Sequence, residues 1–458
     1  MERFMQLNDW LNGLVWGPPM LILIVGTGIY LTLKLNFLQV NKFGYVMKNT
    51  FFKMFEKQQL AEGEISPFQA LATALAATVG TGNIAGVATA IAAGGPGAIF
   101  WMWVSAFFGM GTKFAEIVLA VKYRERTEDG SWAGGPMYYI TKGLKMKWLA
   151  IMFAVFGALA SFGIGNMVQA NSTADALFAT FGLPKIATGI ILFVLSGLVI
   201  IGGLKRIASF TEKLVPVMAV FYILGATLII LTRVTMVPAA LGLIFAGAFT
   251  PSAAIGGFLG ASVRQAIRFG VARGVFSNEA GLGSAPIAHA AAKTDHPVRQ
   301  GLWGVFEVFI DTIVICSLTA LAILVTGVWE TGARGAALTT AAFNVGLPGP
   351  GGMIVAIGIS LFAFSTVVGW AFYGEKCVEY LFGSKAGRIY RFVYLPFIIV
   401  GSVGGLALMW DIADTLNGLM AIPNLIALLA LSGVVINLTK EFFAQKPKGK
   451  GKRSTEVV

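Results

Sequence analysis

Long apolar runs recur along this 458-residue chain, and they constrain its fold more than any other feature. Hydrophobic residues make up 56% of the chain and charged residues only 12%, which is about half the charged share of a soluble domain. Each run can cross a hydrocarbon core of ~30 Å, which takes about 20 helical residues. Because the runs are continuous rather than alternating, they predict an all-α integral membrane protein with eleven transmembrane helices. The runs cover residues 11–33, 66–93, 97–121, 148–178, 184–203, 206–232, 262–290, 298–328, 350–380, 388–409 and 412–438.

The basic residues lie in alternate loops, and this asymmetry predicts the orientation of the chain. Six segments on one side carry 26 of the 34 lysines and arginines, the opposite loops carry four, and four lie within the runs. Since cytoplasmic loops are enriched in Lys and Arg, we expect a plasma-membrane protein with its N-terminus outside and its C-terminus in the cytoplasm. The net charge of +12 is spread over these loops, so it does not indicate nucleic acid as a partner. The six segments are 34–57, 122–147, 205–213, 293–299, 376–391 and the tail from residue 440.

A glycine-rich stretch, Ala77–Ala90 (ATVGTGNIAGVATA), lies in the middle of the second run. The part from Gly80 to Ala85 fits G-x-G-x-x-A, a pattern of dinucleotide-binding turns, which follow a strand and precede an acidic residue by about 20 positions. Here the preceding residues are rich in Ala and Leu, typical of a helix, and the next carboxylate is Glu116. An interrupted transmembrane helix fits better. Unwound backbone is tolerated in a membrane where it lines a cavity, and the amides that begin the second half-helix form an anion site.

A second interruption is predicted within Phe269–Pro286 (FGVARGVFSNEAGLGSAP). Gly80 and Gly281 lie 201 residues apart, so the two interrupted helices become the first and sixth of ten when the first run is set aside. Five helices per half is an odd number, so the second half must be inverted. Paired interruptions indicate the central site of a transporter, and close helix packing through small residues is the alternative. The residues expected to break the second helix are Gly274, Ser277, Asn278, Gly281 and Gly283.

The predicted repeat divides the chain into four parts. Residues 1–64 form an extra N-terminal transmembrane helix and a cytoplasmic loop, and residues 65–235 form the first five-helix repeat. Residues 236–440 form the second, inverted five-helix repeat, and residues 441–458 are a basic cytoplasmic tail.

Three motifs resemble the alanine or glycine:cation symporters, the sodium:alanine symporter family of the amino acid-polyamine-organocation superfamily. They are Gly94–Gly109 (GGPGAIFWMWVSAFFG), Gly80–Gly86 (GTGNIAG) and Asn278–Pro286 (NEAGLGSAP). The first follows the family signature of paired Gly, small residues, Phe-Trp-Met-Trp and a closing Gly. With the chain length and the number of runs, the resemblance covers about Pro67–Thr439. It implies a leucine-transporter-like fold, a 5+5 inverted repeat preceded here by one extra N-terminal helix.

The resemblance also implies where an amino acid binds. In that fold, the segment that matches Thr78–Asn83 holds the substrate carboxylate, here at the amides of Thr81 and Gly82. The ammonium group would meet the carbonyl oxygens of Thr78, Phe276 and Ser277. This agrees with the expectation that half-helix N-termini face the anion and unwound carbonyls face the cation.

The third core helix crosses the centre as Ser161–Ala170 (SFGIGNMVQA), and its position opposite the interruptions should bring it to the substrate side chain. Gly165 should face the pocket, with Gln169 one turn further along and Trp370 limiting the space. The predicted substrate-binding residues are therefore Thr78, Gly80, Thr81, Gly82, Asn83, Gly165, Gln169, Phe276, Ser277 and Trp370.

A sodium site is implied between the first and eighth core helices. Ser365 and Thr366 are an adjacent hydroxyl pair that matches the usual ligands of the fold, and oxygen ligands suit an alkali cation. The alternative is that both hydroxyls bond back to their own helix. The expected sodium ligands are Ala76, Val79 and Phe362 through their carbonyls, with Ser365 and Thr366.

Charged residues within the runs are candidates for function, because a charge in a bilayer is unfavourable. Glu307 and Asp311 lie four residues apart and share a helix face, and Asp311 could titrate. Glu279 follows the second interruption and could brace it or bind a proton. Lys113 should extend to the cytoplasmic surface. Arg264 and Arg268 share one face of the outer half-helix and should pair with acids across the entrance.

The function that fits best is sodium-coupled symport of a small neutral amino acid, alanine or glycine, by a protein that acts as a monomer. A proton-coupled carrier or exchanger on the same fold is the alternative. A channel would not need two interrupted helices, and an enzyme is disfavoured because the sequence shows no catalytic constellation. No cofactor is expected beyond Na⁺ as the coupling ion.

Overall fold

The computed structural model describes residues 2–54, 56, 64–127, 130–250, 262–404 and 407–444. The predicted basic tail from position 445 onward and Lys57 of the first basic segment lie outside them. The described part is helical, apart from an antiparallel pair of short strands, β1 (Glu125–Arg126) and β2 (Trp132–Ala133), and a bridge between Ile65 and Ala292. The all-α prediction is therefore confirmed for these residues.

Eight helices in this part of the chain are long and apolar enough to cross a membrane, and each coincides with a predicted run. Of the other three runs, two are interrupted and the third, 184–203, forms a shorter helix, Lys185–Ile200. The count of eleven crossings and the 5+5 arrangement stay predictions. The eight helices are Met5–Lys34, Ala98–Lys122, Lys147–Phe181, Gly203–Thr232, Pro297–Thr326, Gly351–Phe382, Ser384–Val403 and Asp411–Ala430.

The N-terminal segment divides just before two prolines. The first helix, α1 (Glu2–Val15), is followed by α2 (Pro18–Lys34), where the sequence predicted one run, 11–33. Proline favours the first turn of a helix because it has no amide to donate, so Pro18 starts α2. Two short helices, α3 (Leu38–Asn41) and α4 (Phe43–Asn49), and a 3₁₀ turn (Phe51–Lys53) complete this segment.

Nine α-helices with 3₁₀ and π turns make up the first half of the chain beyond this segment. The α-helices are α5 (Pro67–Thr78), α6 (Ala85–Gly94), α7 (Ala98–Lys122), α8 (Pro136–Tyr139), α9 (Lys147–Phe162), α10 (Val168–Phe181), α11 (Lys185–Ile200), α12 (Gly203–Thr232) and α13 (Val237–Phe249). The 3₁₀ turns are Thr81–Asn83 and Val234–Met236, and the π turns are Ile140–Leu144 and Gly163–Met167.

Ten α-helices form the second half of the described chain. They are α14 (Val263–Asn278), α15 (Ala285–His289), α16 (Pro297–Val308), α17 (Ser317–Thr326), α18 (Gly335–Gly346), α19 (Gly351–Phe382), α20 (Ser384–Tyr394), α21 (Pro396–Val403), α22 (Ala407–Ala430) and α23 (Ser432–Ala444). A π turn (Phe309–Cys316) joins α16 to α17, and a 3₁₀ turn (Val328–Thr331) precedes α18. The sequence did not predict α13 and α18, because both are shorter than a membrane span.

Small residues of the signature motif let the helices pack closely around the two interruptions. A Cβ on Gly97 would lie 2.0 Å from the Gly247 carbonyl oxygen of α13, and a Cβ on Gly270 of α14 would lie 2.2 Å from the carbonyl oxygen of Ala98. The backbones of α7, α13 and α14 are therefore in direct contact. Since α6 packs on α14 and α5 packs on α19, the two interrupted segments meet beside α19 at the centre of the bundle.

Candidate functional site

The first interruption separates α5 from α6. α5 ends at Thr78, Gly80 is extended (φ −132°, ψ −154°), and Thr81–Asn83 form one 3₁₀ turn before α6 begins at Ala85. The Gly80 amide donates a 2.9 Å hydrogen bond to the Asn83 side chain, so the unwound stretch is closed by its own residues. The structure thus has an interruption where the sequence predicts one.

Gln169 of α10 bonds to the unwound stretch. The Thr81 amide donates to Gln169 Oε1 at 3.4 Å, and Gln169 Nε2 donates to the Ile164 carbonyl oxygen at 3.0 Å. Gln169 lies just after the π turn Gly163–Met167, whose wider winding leaves backbone carbonyls for such side-chain bonds. Gln169 therefore contacts the first interruption, while its predicted role in binding substrate stays a prediction.

The two glycines of the unwound stretch lie against other helices. A Cβ on Gly80 would lie 2.6 Å from Thr366 Oγ1, which leaves no room for a side chain. A Cβ on Gly82 would lie 3.1 Å from the Phe276 ring and 3.4 Å from the Cα of Ser277. Gly82 therefore presents bare backbone to the end of α14, where the second interruption begins.

The second interruption is shorter than the sequence predicted. α14 continues through Asn278, and the break comprises Glu279 to Ser284, with positive φ at Glu279 (55°), Gly281 (94°) and Gly283 (83°). The prediction that Gly274, Ser277 and Asn278 interrupt the helix was wrong. Their amides lie on helical backbone, and the left-handed conformation that ends a helix begins only at Glu279.

The last carbonyl groups of α14 are not used by the amides that follow them. The amide of Ala280 donates to Asn278 Oδ1 at 3.0 Å, and the amides of Gly281 and Gly283 donate to Glu116 Oε1 at 3.0 and 3.1 Å. In a continuing helix, the first two of these amides would bond to the carbonyl oxygens of Phe276 and Ser277. The negative end of the α14 dipole therefore points toward Gly82, and the carbonyl oxygens of Phe276 and Ser277 do not accept from these amides.

Asp311 joins the two interruptions through one buried carboxylate. Asn83 Nδ2 donates to Asp311 Oδ1 at 2.7 Å, while the hydroxyls of Ser277 and Thr312 donate to Oδ2 at 2.9 and 2.8 Å. Asp311 lies in the π turn between α16 and α17. All three of these donors are neutral, and no ion pair of the described residues includes Asp311.

A cavity of about 1000 Å³ reaches the first interruption from one side of the bundle. Its walls come from α6, α10, α18 and the first turns of α19, and its floor includes Thr81, Gly82 and Phe276. The hydroxyl of Thr81 is buried there without a hydrogen-bond partner among the described residues. A buried polar group normally has a partner, so the Thr81 hydroxyl is a candidate for contact with a polar ligand.

The predicted sodium residues lie in α19 and in or just after its neighbour α5, and the two hydroxyls bond back to their own helix as the alternative predicts. Both Ser365 Oγ and Thr366 Oγ1 donate to the Phe362 carbonyl oxygen, at 2.8 and 2.9 Å. α5 packs closely on α19 here, since a Cβ on Gly369 would lie 2.8 Å from the amide nitrogen of Ala77. Ala76 and Val79, which carry the other two predicted ligands, are buried in and just after α5.

Gly165 and Trp370 contact each other rather than the cavity. A Cβ on Gly165 would lie 2.2 Å from the Cβ of Trp370, so this glycine makes room for the tryptophan. Trp370 Nε1 donates to Glu279 Oε1 at 3.0 Å, and the Ser284 hydroxyl donates to Glu279 Oε2. The indole therefore fastens the second interruption to α19, and Gly165 lies behind it. Thr78, also predicted to bind substrate, is buried and donates to the Ala74 carbonyl at 3.1 Å.

Lys113 is fully buried, and the prediction that it extends to the surface was wrong. Its Nζ lies 3.3 Å from Glu307 Oε1, while Glu307 Oε2 lies 3.0 Å from His289 Nε2. His289 Nδ1 in turn lies 2.8 Å from Gln300 Nε2. These contacts join α7 to α15 and α16. The buried Lys113 ammonium requires a counter-charge, and the Glu307 carboxylate supplies it.

Sequence reasoning missed the role of Glu116. Besides the two glycine amides, its Oε1 accepts a 2.6 Å hydrogen bond from Asn424 Nδ2, and Asn424 Oδ1 accepts from the hydroxyl of Tyr139. Glu116 thus caps the second interruption and joins it to α22 and α8. Its position inside an apolar run was the one available signal, because intramembrane carboxylates are rare.

Comparisons with known proteins agree on one family. The sodium:alanine symporter family matches residues 1–456 of this chain. The sodium/alanine symporter AgcS of Methanococcus maripaludis is 54% identical over 447 residues, which cover 96% of this chain and 97% of that protein. The "Probable sodium/glutamine symporter GlnT" of Bacillus subtilis is 44% identical over 443 residues, which cover 96% of this chain and 91% of that protein.

A solved structure shows the fold. The crystal structure of MhsT in complex with L-phenylalanine superposes with a TM-score of 0.55, over 84% of this chain and 99% of that chain, at 13% sequence identity. The chain therefore has the fold of the leucine-transporter-like proteins, as its motifs implied.

We expect Glu307→Gln to destabilise the protein by ~3–5 kcal/mol, because it leaves the Lys113 ammonium buried without a counter-charge. The double variant Lys113→Met with Glu307→Gln should recover much of this loss. The free energy of unfolding in detergent measures both. As a control, Glu125→Gln breaks the surface pair with Lys142, 2.6 Å long and about 40% exposed, and should change stability by less than ~1 kcal/mol. A Glu307→Gln effect as small as that of Glu125→Gln would contradict the buried pair.

Proposed function

Since this chain belongs to the sodium:alanine symporter family, we propose that it is a sodium-coupled symporter of small neutral amino acids, with alanine and glycine as its substrates. Cation-coupled transport of an amino acid across a membrane is the activity that the family and its named relative support. The proposal adds the substrates, the residues that bind them and alternating access at the two interrupted helices.

The unpartnered Thr81 hydroxyl at the floor of the cavity is the observation that carries this proposal. Beside it, the amides of Thr81 and Gly82 begin the 3₁₀ turn and bind the substrate carboxylate. On the other side of Gly82, the carbonyl end of α14 at Phe276 and Ser277 binds the ammonium group. Gly80 and Asn83 shape the turn, and the substrate carboxylate replaces Gln169 Oε1 at the Thr81 amide, where the bond to Gln169 is long at 3.4 Å.

The cavity supports an outward-facing state in the proposed orientation. It opens past the end of α6, α18 and the start of α19, all of which the distribution of basic residues assigns to the outside. On the side away from the cavity, the bundle is closed by the buried side-chain contacts that run from Lys113 through Glu307 and His289 to Gln300. The hydrogen bonds of Glu116 to the second interruption also close this side. Alternating access then requires that these inner contacts open while the cavity closes.

Proposed residue contacts limit the substrate to a small side chain. Phe276 contacts Gly82 from one side, and Trp370 fills the space that Gly165 leaves, so neither glycine adds room to the site. A hydrophobic pocket rejects one excess methylene by only ~1–3 kcal/mol, so larger amino acids are rejected by steric overlap. A relative that is 44% identical is named for glutamine, which is larger than alanine, so the size of the substrates that this protein accepts must be measured.

Uptake of labelled L-alanine into vesicles that contain the purified protein tests the proposal. We expect uptake to need sodium and to be inhibited by glycine and D-alanine more than by L-leucine or L-phenylalanine. One Na⁺ moving down ~100 mV releases ~2.3 kcal/mol, and a tenfold gradient adds ~1.4 kcal/mol. One sodium therefore supports a substrate gradient of several hundred-fold. Uptake without sodium, or strong inhibition by leucine, would refute the coupling or the pocket size respectively.

Gly82→Leu should abolish alanine binding and leave the protein folded. The new side chain would project between the first interruption and Phe276, where we place the substrate. The matched control is Gly242→Leu, because Gly242 is a helical glycine with open space around its Cβ position and lies in α13. Alanine affinity of the two purified variants is the measurement. Equal affinities would show that the substrate lies elsewhere.

Thr366→Val should lower the apparent sodium affinity of transport by about tenfold, or ~1.4 kcal/mol, if Thr366 Oγ1 is a sodium ligand. The control is Thr326→Val, because the Thr326 hydroxyl makes the same kind of bond to its own helix, 2.9 Å from the Ala322 carbonyl oxygen. The control removes a helix back-bond without touching the proposed site. If both variants keep the parent's sodium dependence, the hydroxyl only bonds to α19.

Proton coupling is the second candidate function, and the buried carboxylates favour it. Glu116, Glu279, Glu307 and Asp311 are buried around the interruptions, and Lys113 is buried beside Glu307. Asp311 contacts both interrupted segments through neutral donors only. A carboxylate in this position binds a cation, which is either H⁺ or Na⁺.

Asp311→Asn separates the two forms of coupling. The amide keeps the shape of the side chain and one acceptor, but it removes the charge. A proton-coupled carrier should accumulate alanine under an imposed inward pH gradient without sodium, and Asp311→Asn should abolish that uptake. A sodium symporter should show no such uptake in either form, and the variant should change only its sodium dependence. Thr312→Val, which removes a neighbouring donor and keeps Asp311, is the matched control.

A further inference from the structure

A second large cavity lies on the lipid-facing side of the bundle, away from the proposed substrate site. It is a groove of about 640 Å³ between the extra helix α2, the start of α7 and the outer half-helix α14. On α2 its wall runs from Pro18 to Ile29, and Gly26 in this wall has open space at its Cβ position. None of the predicted substrate or sodium residues lines this groove.

The groove matches one acyl chain in length and polarity. Ile29 lies eleven positions after Pro18 in α2, a rise of ~16 Å at 1.5 Å per residue. Half of a ~30 Å hydrocarbon core is ~15 Å. The wall of α2 is apolar over this distance, and Ile22 within it is 70% exposed. The groove thus follows one membrane leaflet from its surface toward the midplane.

Two arginines stand at the surface end of this apolar groove. Arg264 and Arg268 lie one helical turn apart on α14, line the groove and are exposed. The sequence suggested that they pair with acids, but no ion pair in the described part of the chain includes either one. Arg268 also borders a small cavity next to Asp414, again without an ion pair. Like charges at this spacing repel each other, so an anion between them is stabilising.

We propose that this groove binds an anionic phospholipid, whose phosphate contacts Arg264 and Arg268 and whose acyl chain lies along α2 from Pro18 to Ile29. Arginine suits this role because its guanidinium binds phosphate oxygens in pairs and is weakly hydrated. The apolar wall excludes a free phosphate ion as the main ligand, because such an ion gains nothing from Ile22 or Ile29. In the proposed orientation the lipid belongs to the outer leaflet.

The lipid connects the extra helix to an interrupted one. α2 and α14 contact each other directly at few positions, while α14 carries Phe276 and Ser277 of the proposed substrate site. A lipid wedged between α2 and the outer half of α14 therefore stabilises the position of that half-helix. This gives the N-terminal segment, which lies outside the proposed repeat, a role in lipid binding.

Native mass spectrometry of the purified protein in detergent tests the proposal, with phosphatidylglycerol and phosphatidylethanolamine added as separate probes. We expect bound phosphatidylglycerol to exceed phosphatidylethanolamine by tenfold or more at equal concentration. The double variant Arg264→Gln with Arg268→Gln should remove this preference. Its matched control is Arg334→Gln, because Arg334 is an exposed arginine that the same orientation places outside. Equal binding of both lipids, or a preference unchanged in the double variant, would overturn the assignment.

A second pair of variants tests the apolar part of the groove. Gly26→Leu fills open space in the groove without meeting protein atoms, and it should lower phosphatidylglycerol binding by tenfold or more. The control Gly242→Leu places the same side chain on a lipid-facing part of α13, and it should leave binding unchanged. Leucine favours a helix over glycine, so neither variant should unfold. A dimer that Gly26→Leu dissociates would show that a second copy of the chain occupies the groove, and equal lipid binding by both variants would place the lipid elsewhere.

Discussion

Inside a bilayer every backbone amide and carbonyl needs a partner from the protein, and the two interruptions meet this constraint with side chains. At the first, Asn83 accepts from the Gly80 amide and Gln169 accepts from the Thr81 amide. At the second, Glu116 accepts from the amides of two glycines. Each unsatisfied group in hydrocarbon would cost several kcal/mol, so these side chains are what allow the helices to be open at all. We place the substrate beside these bonded groups, at Thr81 and Gly82, which line the cavity.

The sequence was sufficient for the long apolar helices and for the presence of two interruptions, but not for the shorter helices α13 and α18. Continuous apolar runs of about 20 residues have few alternatives to a transmembrane helix, and Gly80 and Gly82 in the middle of one run indicate a break directly. The extent of the second break was not predictable, because Ser277 and Asn278 favour both helix ends and buried hydrogen bonds. Only the positive φ of Glu279 distinguishes the two, and it is a property of the folded chain.

Side-chain partners were the least predictable part of the candidate site. Gly165 was expected to widen the pocket, but a glycine that admits a ligand and one that admits Trp370 look alike in sequence. Lys113 lies close enough to the end of its run to reach the surface, and only the packing of α7 on α16 brings Glu307 to it. Glu116 accepts from Gly281, which is 165 positions away in the sequence, and Asp311 accepts from Asn83, which is 228 positions away. Their roles therefore depend on tertiary contacts that no local sequence pattern encodes.

The two interruptions differ in which residues accept hydrogen bonds from their backbone amides, and this difference bears on how the helices can move. The first is closed within four residues by the bond between Gly80 and Asn83, and Thr81 and Asn83 also bond to Gln169 and Asp311. The second takes its shape from Glu116 of α7, and through Asn424 from α22, so it cannot tilt without breaking bonds to both neighbours. If the inner side opens as alternating access requires, the bonds of Glu116 to the second interruption break, whereas the bond between Gly80 and Asn83 can remain.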